Sequence, residues 1–256
     1  MMKSIIGAIN ALVLLCVLGC SSRDISSEGK ILHLIICRPT QHATSADFRN
    51  AEDAFRAIPS NVPTMERFEW GRIDGDGDSP ECYYLLILLD ETKSKSGSAY
   101  SEGMREAMDE VTGIDEKGRR FTASDGRKYL FHDATPHVRT TTQGQLRHMV
   151  SVAVPTASRE PMLEFENALV ALPNEISAIE RLEWGRRKVD GEGNFEEYRV
   201  LFTFADTKAR DTCLTHPAYK EFRSFWEENY KRKPYVGWEP KSHAHDFISR
   251  VEYIAP

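Results

Sequence analysis

The chain has 256 residues, 41% of them hydrophobic and 28% charged, with a net charge of −6 at pH 7. That apolar content is enough to bury a core of ordinary size. A mildly acidic chain with no basic stripe excludes nucleic acid as a partner, because phosphate binding needs clustered Lys and Arg.

The chain opens with Lys3 and an apolar run at 5–18, the charged and hydrophobic regions of a secretory signal. The run ends in VLGC at 17–20, followed by Ser21 and Ser22, and resembles a bacterial lipobox. The resemblance implies a signal peptide at 1–19, lipidation of Cys20, and a linker at 20–29. Buried acyl chains would hold the protein on the membrane. The expected place is the bacterial cell envelope, with Ser21 favouring the outer membrane. Export would leave Cys37, Cys82 and Cys213, an odd number with no CxxC spacing. Cys37 and Cys82 fall in predicted strands, where either a disulfide or buried free thiols would fit; the thiols are the simpler expectation.

Beyond the linker the chain repeats itself. HLIIC at 33–37 answers HMVSV at 148–152. Phe48, Ala51, Phe55 and Ile58 are answered 114 positions later by Met162, Phe165, Leu169 and Leu172. Spacings of three and four predict an apolar helix stripe in each copy, and Pro59 and Pro173 are expected to end the helices. ERFEWGR at 66–72 then matches ERLEWGR at 180–186. As strands, these put Phe68 and Trp70, or Leu182 and Trp184, on one face, and Arg67 and Glu69, or Arg181 and Glu183, on the other. The Arg and Glu residues are expected to pair across neighbouring strands, and Gly71 and Gly185 to release the chain into hairpins. Strands follow at 83–89 and 198–205, then helices carrying Met104, Ala107 and Val111 or Tyr219, Phe222 and Trp226, and last strands at 128–132 and 247–254.

The order strand, helix, strand, strand, helix, strand is the ferredoxin-like βαββαβ arrangement. Its helices cover one sheet face, so a second layer must cover the other. The expected fold class is α+β, with two βαββαβ modules at 30–143 and 144–256 packed sheet to sheet. The chain would then be an internal pseudo-dimer, monomeric as a whole.

Taken together, the early His33 and His148, the two heptapeptides, YRVLFTFAD at 198–206 and THPAY at 215–219 resemble the stress-responsive α/β-barrel (Dabb) family. The resemblance implies a dimeric α+β barrel with a pocket between helices and sheet. It also places His33, His148, His216 and Tyr219 as ligand-binding candidates. The family's helix entry often ends in a second His, and Tyr219 stands there instead. A tyrosine with a pKa near 10 is a poor base at neutral pH.

DGDGDS at 74–79 lacks the Gly and the Glu of a calcium loop, so it is expected to be a solvated hairpin. His243 and His245 make only a two-ligand pair, and no metal and no cofactor are expected. No nucleophile elbow, Walker loop or dinucleotide fingerprint occurs. The leading expectation is a lipid-anchored envelope protein, stress-related, that binds a small apolar or aromatic ligand. The alternative is a cofactor-free lyase, cyclase or oxygenase acting on an aromatic or polyketide-like compound, with His148 and Tyr198 or Tyr219 as its first residues. A purely structural envelope protein is the third.

Overall fold

The computed structural model describes residues 30–62, 65–73, 82–90, 97–115, 118–123, 127–135, 144–155, 160–188, 195–230, 244–248 and 250–254. The expected signal peptide, Cys20, the linker, the acidic loops at 74–78 and 190–194, and the tail at 231–243 with His243 lie outside them.

The first half opens with β1 (Lys30–Pro39), α1 (Ser45–Asn61), β2 (Met65–Ile73) and β3 (Cys82–Asp90). It continues with α2 (Gly97–Thr112), the short strands β4 (Ile114–Asp115), β5 (Gly118–Arg119) and β6 (Phe121–Ala123), and then β7 (Arg127–Asp133). The second half runs β8 (Leu146–Pro155), α3 (Glu160–Glu175), β9 (Arg181–Lys188), β10 (Phe195–Phe204), α4 (Thr207–Thr215), α5 (Pro217–Tyr230), β11 (Ala244–Ile248) and β12 (Arg250–Ile254).

Helix α1 starts at a reciprocal cap. The Thr44 hydroxyl accepts from the Asp47 N–H, and the Asp47 carboxylate accepts from the Thr44 N–H at 2.8 Å. Its buried residues Ala51, Ala54, Phe55 and Ile58 follow the predicted stripe. The prolines do not end the helices: Pro59 lies inside α1 and Pro173 inside α3. Each proline lies two residues before its helix's end, so the lost N–H and the crowding of the carbonyl four residues back are confined to the last turn.

The strand order is β11-β8-β10-β9-β7-β1-β3-β2-β12, all neighbours antiparallel, with β6 added beside β1. Strand β7 bridges the halves: residues 127–130 pair β1, and 130–133 pair β9. The chain's end bridges them again, since β11 pairs β8 while β12 pairs β2. The sheet therefore curls, with its two ends formed by strands one residue apart in the chain. The halves are joined edge to edge by hydrogen bonds.

Alternation along the strands sends side chains to two environments. Outward residues pack under helices. In the first half these are Phe68, Trp70, Tyr83 and Ile87, which share a cluster with Phe55 of α1. In the second half they include Leu182, Trp184 and Phe202, which share a cluster with Phe165 and Leu169 of α3. Inward residues Leu32, Leu34, Leu86, Phe131, Met149 and Leu201 form a third cluster drawn from both halves.

The charged face of the heptapeptides points inward too, and its main pairs join strands that are not sheet neighbours, where pairing across neighbouring strands was expected. Arg67 donates to Glu183 at 2.8 Å, and Arg147 donates to Glu183 at 2.9 Å and to Glu69 at 3.1 Å. Arg181 reaches Glu183 at 3.0 Å and Asp133 at 2.8 Å. Glu69, Glu183 and Arg147 are fully buried. The glycine expectation also changes. β9 continues through Gly185 to Lys188, and a Cβ at Gly185 would meet the Tyr129 Cβ at 2.5 Å. Gly185 is required by close packing across the β7–β9 seam, not by a turn.

Cys37 packs under the first-half helices and Cys82 faces the interior. They are free thiols on opposite faces of the sheet, as is Cys213 in the second half. Burial pushes Cys37 and Cys213 up to about 12, which keeps them protonated. Among the described residues, no helix is long and apolar enough to cross a membrane.

Candidate functional site

The helix-facing side of the second half is a grid that the pairing register defines. Leu182, Trp184 and Arg186 project from β9. They stand opposite Phe202, Val200 and Tyr198 of β10. On the other flank, β7 places His132 opposite Trp184 and Leu130 opposite Arg186. Phe165 of α3 packs edge-on against Tyr198 at 4.8 Å, and Phe222 of α5 lies 5.5 Å from Phe165. Most of this surface is aromatic or aliphatic.

Two polar groups interrupt it. In the first, the Tyr198 hydroxyl donates to Glu166 at 3.0 Å, and Arg186 donates to the same oxygen at 2.9 Å. Burial and the Glu166 charge raise the Tyr198 pKa above its ordinary value, so the phenol remains protonated. In the second, the His132 ring stacks on Trp184 at 5.3 Å with 12° between planes. His132 is 5% exposed and Trp184 fully buried. Both His132 ring nitrogens and the Trp184 Nε1 are buried with no hydrogen-bond partner among the described residues. Burial, together with the nearby Arg186 charge, pushes His132 down to about 4, so its imidazole is neutral at pH 7.

Among the described residues, the first half repeats the first group and shows no stacked His–Trp pair like the second. Tyr83 donates to Glu52 at 3.0 Å, matching Tyr198 and Glu166. The space above is filled by an aromatic pile in which Phe121 of β6 meets Phe48 edge-on at 5.3 Å and Tyr83 at 6.2 Å. The residue in register with Trp70 is Arg250 of β12, where Trp184 has His132.

Several residues singled out from the sequence lie on these surfaces without converging. His33 is buried on the helix face of the first half, in register with Ile87. His148 is buried on that of the second, its ring 6.1 Å from Phe202 and 6.5 Å from Phe204. Tyr219 joins the same cluster, 5.9 Å from Phe202. His216 is half-buried and caps α5, its Nδ1 accepting from the Ala218 N–H at 3.2 Å. Of the candidates, Tyr198 sits on the grid beside His132 and Trp184, whereas His148 is three strands from His132, roughly 14 Å. His132 itself was not among them. Its signal was a lone polar side chain on the apolar strand YLFH at 129–132, and only the crossing of β7 into the second half makes it part of this site. Among the described residues, no group of three or more His, Cys, Asp or Glu could hold a metal ion.

Residues 146–239 match the Stress responsive A/B Barrel Domain, Dabb. The Dabb segment contains every residue of the grid except those that β7 contributes. No curated protein matches the chain in sequence. Solved structures share the fold. A candidate monooxygenase from Fusobacterium nucleatum aligns with a TM-score of 0.57 at 7% identity, covering 87% of this chain and 93% of that one. Another from Lactobacillus acidophilus gives 0.52 at 16% identity, covering 87% and 95%. A variant chlorite dismutase from Candidatus Nitrospira defluvii gives 0.51 at 8% identity, covering 88% and 93%. At these identities the likeness is one of architecture.

Proposed function

We propose that the chain is a lipid-anchored envelope protein, stress-related, whose second half binds a small, flat, largely apolar molecule between its helices and its sheet. The observation that carries this reading is the His132–Trp184 stack. Three ring nitrogens are buried here without a hydrogen-bond partner, and each such group costs about 1–3 kcal/mol until something satisfies it. A concave apolar surface with a few converging polar groups is the usual form of a ligand site.

The wider reading is of two Dabb-like modules, at 30–143 and 144–256, forming an internal pseudo-dimer. Supporting it are the identical strand orders β7-β1-β3-β2 and β11-β8-β10-β9 and the twin Tyr–Glu hydrogen bonds. Lys30–Glu66 also corresponds to Gln145–Glu180, each tying the heptapeptide's first residue to the chain entering the first strand. The lipid anchor rests on the VLGC motif. Labelling of cells with radioactive palmitate is expected to mark the protein, and Cys20→Ser to abolish the mark.

For the ligand reading, titration of the full chain with naphthalene is expected to give saturable quenching of tryptophan emission. That signal should be much reduced in Trp184→Phe and kept in Trp70→Phe. Absence of saturable binding by any flat aromatic compound would sink the reading. A catalytic role of the lyase, cyclase or oxygenase kind draws on one observation, the neutral imidazole of His132, whose unpartnered nitrogens can donate and accept hydrogen bonds at a bound molecule. On that reading, turnover found in a screen of aromatic compounds is abolished by His132→Phe. Tyr198 is unsuited to act as the base, being held protonated by Glu166.

A further inference from the structure

We infer that the second-half site takes a neutral hydroxylated aromatic molecule, one per chain, with its hydroxyl held by the His132 imidazole and the Trp184 indole N–H. This rests on the ligand-binding reading above and specifies its chemistry. A neutral imidazole offers one N–H donor and one lone-pair acceptor, and an indole offers one donor. A hydroxyl can donate to the imidazole and accept from the indole at once. A hydrocarbon satisfies neither ring. A carboxylate could accept from an N–H but would set its charge against the imidazole lone pair. It would also find no unspent cation, because the nearby Arg186 already pairs with Glu166 at 2.9 Å and Glu196 at 3.9 Å. Around the two rings the layer is aromatic and aliphatic, with Phe165, Leu182 and Val200 in the same cluster as Trp184, which suits the remainder of an aromatic molecule whose hydroxyl lies at the ring edges.

The site is composite. Trp184 belongs to the second half, whereas His132 reaches it on β7, the strand that leaves the first half at residue 130 to pair β9. Among the described residues the first half has no counterpart, since Phe121 and Phe48 occupy its helix–sheet layer around Tyr83. One chain therefore has one site, and neither half builds it alone.

Three probes of one shape separate the terms: naphthalene, 1-naphthol and 1-naphthoate, titrated into the full chain at pH 7. 1-Naphthol is expected to bind about tenfold tighter than naphthalene, the worth of one good buried hydrogen bond, at one molecule per chain. In His132→Phe the preference should fall to within about twofold while naphthalene still binds. In the wild-type chain, the His132 ring nitrogen resonances should show the large shift of a new hydrogen bond with 1-naphthol and only a small ring-current shift with naphthalene, a readout that holds even if the variant does not fold. Equal affinities for naphthalene and 1-naphthol, a preference that survives His132→Phe, tighter 1-naphthoate, or two molecules per chain would each overturn the inference. Naphthalene binding without a naphthol preference leaves the ligand-binding reading standing and removes this one. If no probe binds, both fail.

Discussion

Arg67 and Glu183 occupy the same motif in its two copies, 116 positions apart, and they meet at 2.8 Å in the buried interior. The motif thus recognises itself across the fold. Its Arg from one copy neutralises its Glu from the other, on strands that are not neighbours in the sheet. Arg147, whose hydroxyl partner is Thr203, adds a third guanidinium, and Asp133 a third carboxylate. Removing one member leaves buried charge uncompensated, which typically costs about 3–5 kcal/mol. Glu183→Gln is expected to lower stability by that order in urea denaturation. The double change Arg67→Met with Glu183→Gln should cost clearly less than the sum of the two singles. Additive costs would show that the pair is not coupled. Burial raises the Glu183 pKa, but the Arg67, Arg181 and Arg147 charges outweigh it and hold the group below the ordinary carboxylate range. Its contribution is therefore fully present at neutral pH and is lost as pH falls from the ordinary carboxylate range through that lowered value.

Gly185 gives a second test at the same seam. A methyl group there would sit 2.5 Å from the Tyr129 Cβ and 3.3 Å from a Leu32 methyl, in a strand whose neighbours are fixed on both sides. Gly185→Ala should destabilise by about 1–3 kcal/mol through overpacking. The Tyr129 hydroxyl accepts from Arg199 at 3.1 Å, so the ring cannot swing aside without breaking that bond. A thermal midpoint unchanged by Gly185→Ala would show that the seam yields more easily than the packing implies.

The duplicated Tyr–Glu bond predicts an asymmetry. Tyr83→Phe leaves Glu52 half-exposed and able to turn to water, with Arg56 at 3.7 Å. Tyr198→Phe leaves Glu166 8% exposed and dependent on Arg186 alone for a side-chain partner in this layer. Losing a hydrogen bond to a charged group costs about 1.5–3 kcal/mol where the group stays buried. Tyr198→Phe should thus fall toward that range, and Tyr83→Phe should lose less. Equal losses in paired denaturation curves would contradict the difference in burial.

These features mark where the sequence was legible. Apolar residues at helical spacing predicted Phe55 and Ile58, or Phe165 and Leu172, as the faces of α1 and α3, because packing on a sheet imposes that spacing directly. The strand alternation in ERFEWGR was equally plain, and Phe68 and Trp70 do face the helices. The burial of its Arg and Glu face was not, since a charged face normally means solvent and only a partner motif on another strand changes that. The first half's extra strands at 114–123, and with them the Phe121 plug, carry no repeat to reveal them. His132 was illegible for a topological reason. Its neighbours in sequence belong to one half, its neighbours in space to the other, and local pattern cannot tell where a strand changes partners.

His132 also supplies the last prediction, which needs no ligand. Its pKa of about 4 lies below the ordinary 6.5, with burial the main cause and Arg186 the second. Between those values the unfolded chain binds a proton that the folded chain refuses, so stability falls as pH drops from 6.5 toward 4. Each unit of pKa difference corresponds to about 1.4 kcal/mol, so the loss across the window is roughly 3 kcal/mol. Glu183 adds to the slope only at the window's acid end, where the unfolded chain's carboxylates begin to take up protons, and it does so equally in both chains. His132→Phe keeps a flat ring against Trp184 and removes the titration. Urea midpoints measured from pH 7 to pH 4 should therefore decline less steeply in the variant than in the wild-type chain, and the two curves should converge or cross toward pH 4. Parallel curves would mean that His132 takes up its proton as readily in the folded chain as in the unfolded one, and the imidazole would then not be the neutral, sequestered group on which the site depends.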